Sequence, residues 1–194
     1  MESQTVESAA PSRDLMMEAH LRAIAIWYKI GAVMGALSIL GLLMAQNDGK
    51  IPGEYVAGLK VGVVMIAAFS VFSWMLGHYL AAYSAGGRIV ARLVTFLSIL
   101  MNVFGLVRPG GGLDQFKWGK IGLHVCFIAW LLMVAFILRN ARTADICTEE
   151  YRALVKNTPG QTPPTFRSPF FLMPLIGTIL SVISGLVYWK MRQG

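Results

Sequence analysis

Acidic residues are scarce in this chain, with ten Asp and Glu against 17 Lys and Arg in 194 residues. None of the ten lies in the five longest charge-free stretches, residues 30–47, 61–87, 93–107, 121–138 and 168–189. That absence removes the paired intramembrane carboxylates on which proton relays and cation coupling usually depend. Thiols are scarcer still. Cys126 lies inside an apolar stretch and Cys147 outside one, so a disulfide framework is not expected and both are read as free. Three dispersed histidines and two lone cysteines do not make zinc-ligand spacing, so neither a metal nor any other cofactor is expected. A cleaved signal is not expected either. The first twenty residues carry Glu2, Glu7, Asp14 and Glu18 where such a signal has a basic start and a short apolar core.

What the chain has instead is apolar length. The five stretches are 18, 27, 15, 18 and 22 residues long and cover 100 of the 194 positions. A soluble domain of this size would interleave charges so that each helix kept a polar face, whereas several long apolar runs read as bilayer spans. The reading is an all-α polytopic membrane helix bundle with five transmembrane helices, or four if the 15-residue third stretch does not cross. The formal charge of +7 does not indicate nucleic acid, because the Lys and Arg residues lie mainly at the margins of the apolar stretches, where lipid headgroups and membrane lipids are their partners.

Along the chain, residues 1–14 read as a disordered polar tail. Residues 15–29 read as an interfacial lead-in, with Leu15, Met16, Leu21, Ile24 and Trp27 on an apolar side and Asp14, Glu18 and Arg22 reaching water. Trp27, Tyr28 and Lys29 mark the headgroup boundary, Lys29 snorkelling from it. Residues 30–138 form a four-span membrane core. Asp48, Gly49, Pro52 and Gly53 make its first turn. The 27-residue second stretch, at about 40 Å, exceeds a hydrocarbon core of about 30 Å and must tilt or protrude. Residues 84–87 are expected in the next tight turn, with the interfacial Arg88 and Arg92 beyond it. Pro109 and the glycines at 110–112 stop the third span. They do not resemble a phosphate cradle, since no Gly-Lys-Ser/Thr follows. Lys117, Trp118 and Lys120 mark re-entry into the interface.

Residues 139–167 form the largest polar segment. Thr148 followed by Glu149 and Glu150 is a helix start, with Tyr151, Leu154 and Val155 on one side of a short amphipathic helix on the membrane, ended near Asn157 by Pro159 and Gly160. Residues 168–194 hold the fifth span and its tail. Small residues recur at packing intervals: Gly31 and Gly35, Gly58 and Gly62, and Gly177, Ser181 and Gly185. Such spacing lets helix backbones approach closely, within the bundle or in a homo-oligomer.

The stretch Glu18-Ala-His-Leu-Arg22-Ala-Ile-Ala-Ile-Trp-Tyr28 entering a Gly-rich span resembles the opening of a group of small, uncharacterised bacterial multi-pass inner-membrane proteins. Gly87-Arg88 with Ala91-Arg92, and Ile146-Cys-Thr-Glu-Glu-Tyr151, are similar to that group as well. The resemblance covers about residues 18–155. It implies a four-span core in the bacterial inner membrane, no established activity and no catalytic residue; the fifth span departs from the pattern.

His78 and His124 are the two histidines in apolar stretches, and a haem held between them is the sharpest chemical hypothesis. Their depths differ by about 17 Å at 1.5 Å per residue, too far for one iron. Asn102, near the middle of the third stretch, should face another helix and hydrogen-bond there. No linked serine-base pattern appears, so no catalytic residue and no enzyme is expected. The N-terminal side carries ten Lys and Arg and the other side seven, which favours a cytoplasmic N-terminus. The functional expectation is a small integral membrane protein acting by binding, as an accessory or structural subunit beside a membrane-protein partner. The alternative is a transporter or channel for a small or lipid-like molecule, with a polar cavity lined by Asn102, His78 or the Ser70/Ser73 pair.

Overall fold

The computed structural model describes residues 12–49, 52–107 and 118–179, with side chains in the fourth helix described from His124 onward. The chain is all-α, with no strand among the described residues. Among the described residues seven helices follow in order: α1 Leu15–Asn47, α2 Val56–Ala81, α3 Ala85–Val107, α4 Trp118–Arg139, α5 Ala141–Ile146, α6 Glu149–Asn157 and α7 Pro169–Ile179. Single 3-10 turns at Gly53–Tyr55 and Thr165–Arg167 lead into α2 and α7. Three of these helices, α1, α2 and α3, are long and apolar enough to cross a membrane. This is a membrane protein. The fourth and fifth apolar stretches fall on shorter described helices, His124–Arg139 and Pro169–Ile179. The tail before residue 12, the Pro109 to Lys117 connection, and Ser181 and Gly185 lie outside the described residues.

Helix α1 settles the architecture. Its 33 residues rise about 50 Å, roughly 20 Å more than a hydrocarbon core. Asp14 caps it by accepting from the Met17 amide at 3.0 Å, which satisfies one of the free amides of the first turn. The surplus length is the N-terminal third. There Met17, Leu21, Ala23, Ile24 and Ala25 are buried, whereas Val33, Met34, Leu37, Leu40 and Met44 further along are exposed.

The same division runs through the other helices. The core is formed by that third of α1 with Leu76 and Leu80 of α2, Ala91 of α3, Val134, Ile137 and Leu138 of α4, Ile146 of α5 and Phe170 of α7. Beyond it the helices present Val64, Met65, Phe69, Phe96, Leu100, Phe104 and Phe127 outward. Burial at one end and apolar exposure at the other is the pattern of a packed head on lipid-facing spans. α1 packs along α2, and α3 along α4.

Several local expectations change. The long second stretch protrudes rather than only tilting, since Leu76, Leu80 and Tyr83 belong to the head. The turn after α2 is centred on Ala82 to Ser84 rather than 84–87, with Tyr83 at φ 53°. Gly87 is already in α3, and its missing side chain lets α3 approach Tyr79, whose Cβ would lie 2.7 Å from a Cβ at Gly87. The 15-residue third stretch is part of a 23-residue helix that begins with Arg88 and Arg92 in its first turns, long enough at about 35 Å to cross. Gly49, at φ +66°, makes the left-handed step that ends α1.

Candidate functional site

The polar centre of the head is Glu18. Read from spacing alone, Glu18 and Arg22 sit on a water-facing stripe of α1; in the structure Glu18 is fully buried. The face of the 15–29 segment that carries Glu18 is therefore covered by protein rather than reaching water, because other elements close over it. Arg13, expected in the loose tail, is equally enclosed: its side chain is 3% exposed and forms an ion pair with Glu18.

The geometry around the carboxylate is complete. Arg13 donates through Nε to Oε1 at 2.9 Å and through Nη2 to Oε2 at 2.6 Å, a bidentate fork. Tyr151 of α6 donates to Oε1 at 2.8 Å, and Tyr83 of the α2–α3 turn donates to Oε2 at 2.9 Å. A carboxylate has about four in-plane acceptor sites, and all four are filled.

Each phenol also accepts. Tyr151 Oη takes the Asp14 amide at 2.7 Å, and Tyr83 Oη takes Arg22 Nε at 2.7 Å. Arg13 Nη1 reaches the Thr158 carbonyl at 2.8 Å, beyond the end of α6. The left-handed backbone at Tyr83 and the Thr148 cap of α6, which accepts from the Tyr151 amide at 3.2 Å, aim the two phenols at one point. Burial and donation to Glu18 push the Tyr151 hydroxyl up to about 12, and the same causes push Tyr83 well above the ordinary tyrosine range. The Glu18 bond holds the Arg13 guanidinium more firmly protonated than usual.

Chemically, this arrangement is a lock rather than a reactive centre. A buried carboxylate with every acceptor site occupied has no lone pair to offer a substrate. Its bonds join the N-terminal segment, α1, the α2–α3 turn and α6. Further polar contacts extend the clasp: His20 Nδ1 lies 2.9 Å from Ser168 Oγ, Trp27 Nε1 donates to the Phe171 carbonyl at 3.3 Å, and Tyr28 Oη lies 3.3 Å from Thr95 Oγ1.

The other residues singled out from the sequence are distributed along different seams. Asn102 accepts through Oδ1 from His124 Nδ1 at 3.1 Å, joining α3 to α4, and donates through Nδ2 to the Ser98 carbonyl at 2.8 Å. His78 is exposed on α2, its ring edge-on to Tyr79 at 6.2 Å, whereas His124 pairs with Asn102. Gly35 faces Ser70, whose Oγ would collide with a Cβ at Gly35. A Cβ at Gly31, Gly58, Gly62 or Gly177 would find no described atom within 4 Å, so those four do not seat a close helix approach among the described residues.

A second close approach on the α1–α2 seam lies at Gly77, where a Cβ would stand 2.7 Å from the Ala25 carbonyl oxygen and 2.9 Å from Lys29 Cγ. Lys29 lies over the Trp74 ring at 5.7 Å. Arg92 is exposed, and Arg88 is half-buried with its Nε unpaired among the described residues. Cys126 is exposed and Cys147 buried, both free. Burial raises the Cys147 thiol. Among the described residues no three His, Cys, Asp or Glu side chains converge on a possible metal position.

Tyr83 and Tyr151 as partners of Glu18 had no signal in local periodicity. The usable clue was length, since an apolar helix continuing about 20 Å past a Trp-Tyr-Lys boundary must be covered by something other than lipid. No family model, curated protein or solved structure matches this chain. The roles of these residues therefore rest on their geometry.

Proposed function

We propose that this chain is a small bacterial inner-membrane protein that acts by binding, as an accessory or structural subunit of a membrane assembly, with its head and N-terminus on the cytoplasmic side. The observation that carries this reading is the division of the molecule. Arg13, Tyr83 and Tyr151 of the head are engaged around Glu18, while the helices beyond it leave large apolar side chains such as Phe69, Phe96 and Phe104 outward. A rigid head on apolar flanks presents surfaces for lipid and for neighbouring spans rather than a reactive cleft. In this reading α4 and α7 are the fourth and fifth spans, and the connection from α5 through α6 stays with the head. The ten Lys and Arg counted on that side support the orientation.

Extraction in a mild detergent followed by mass measurement of the intact particle tests the proposal. A stoichiometric assembly, with a second protein or with further copies of this chain, is the expected result. A strictly monomeric particle with no co-purifying protein would overturn it.

A further inference from the structure

A shallow groove of about 260 Å³ runs beside the lock, at the level where the packed head gives way to the apolar spans. One face of α1 forms its floor. Arg22, Ala25, Ile26 and Lys29 line it from that helix, and their spacing of three, four and seven residues places them on a single stripe. Ala81 and the 3-10 turn that carries Phe166 close the other side.

Three observations identify what fits. First, the groove carries two cations that meet no carboxylate among the described residues. Arg22 gives its Nε to Tyr83 Oη and lies over that ring at 5.6 Å, while Lys29 lies over Trp74. Second, the rest of the lining is apolar, and Phe166 is 69% exposed at its rim. Third, Trp27, Tyr28 and Trp74 share this level of the helices, an arrangement typical of the headgroup region. A groove somewhat smaller than the pockets that enclose whole drug-sized ligands suits a headgroup whose tails remain outside.

We infer that this groove is a specific site for the phosphate headgroup of an anionic phospholipid in the leaflet next to the head, with Arg22 and Lys29 holding the phosphate and Ile26 and Phe166 contacting the start of the acyl chains. The site does not depend on which side of the membrane the head faces. It also does not depend on any protein partner, so its failure and the failure of the proposed assembly are separate results.

The test uses the full chain in mild detergent, with retained lipid counted by native mass spectrometry after addition of phosphatidylglycerol or phosphatidylcholine. One phosphatidylglycerol per chain should persist where phosphatidylcholine does not. Lys29→Gln should weaken retention about fivefold, the effect of one cation near an anionic headgroup. Lys29→Arg should retain it, and so should Lys60→Gln, which removes an exposed cation near the opposite end of α2. Equal retention of the two lipids, an unaltered Lys29→Gln protein, or an equal loss in Lys60→Gln would overturn the site. Displacement of the lipid by soluble glycerol phosphate at matched concentration would also overturn it, by assigning the cations to a free phosphate.

Discussion

Replacing Glu18 by Gln changes one oxygen to an amide nitrogen and leaves the side-chain volume nearly unchanged, so its cost reads the lock directly. In the native head each carboxylate oxygen accepts from one Arg13 nitrogen and one phenol, at distances between 2.6 and 2.9 Å. An amide group in either place turns one acceptor into a donor that faces two donors. It also leaves the Arg13 guanidinium, 3% exposed, without its counter-charge. Hydrogen bonds to charged groups contribute about 1.5–3 kcal/mol each, and removing one partner of a buried ion pair costs about 3–5 kcal/mol. These figures overlap rather than add. The expected destabilisation is about 3–5 kcal/mol, which for a chain of this size lowers the unfolding midpoint by on the order of 10 °C.

Thermal unfolding in a fixed detergent, followed by circular dichroism, measures this shift. Arg13→Met should cost a similar amount. The double variant Arg13→Met/Glu18→Leu, with no stranded charge, should be less destabilised than the sum of the single changes, because a buried pair replaced by apolar groups of similar volume is often near neutral. A Glu18→Gln protein that unfolds at the wild-type temperature would refute the lock.

The α1–α2 seam predicts a contrast between glycines: Gly77→Ala, which drives a Cβ against the Ala25 carbonyl and Lys29, should cost about 1–3 kcal/mol. Gly31→Ala, with open space around it, should be neutral or slightly stabilising in the same unfolding assay. Asn102→Leu or His124→Leu should each lower the midpoint by one to a few degrees, since intramembrane polar pairs contribute about 0.6–1.7 kcal/mol. The double change should lose no more than the larger single one. The alkaline titration of tyrosinate absorbance should contain a component near pH 12 that Tyr151→Phe removes. Because the folded pKa lies above the unfolded value of about 10, the stability contributed by Tyr151 is complete below pH 10 and is lost as pH rises through 12. A titration unaltered by Tyr151→Phe would count against its bond to Glu18.

Much of the membrane architecture was legible because lipid imposes a simple rule: a span must be apolar for its whole length. The stretches at 30–47, 61–87 and 93–107 map onto α1, α2 and α3 for that reason. The start of α6 at Thr148 was legible too, since a cap and two acids act within one turn. The head was not. Glu18 and Arg22 stand four residues apart on α1, and that pattern is the same for a solvated stripe and for a buried one. What decides between them is Tyr83 and Tyr151, 65 and 133 residues away, and no local periodicity reports contacts at such separations. The glycine spacing misled in the same way. It showed where close approach was sterically allowed but not which glycines meet a neighbour: among the described residues Gly35 and Gly77 do, while Gly31, Gly58 and Gly62 have no atom within 4 Å of an added Cβ.

The distance along the chain from Glu18 to Tyr151 also sets an order of events during synthesis. At about 5–20 residues per second, the ribosome makes Tyr151 on the order of ten seconds after Glu18. Within that interval α1, α2 and α3 are completed and Tyr83 is made, but Glu18 still lacks the Tyr151 donor until α6 is made. The four-donor cage around Glu18 is therefore completed only after the segment following α4 has been made.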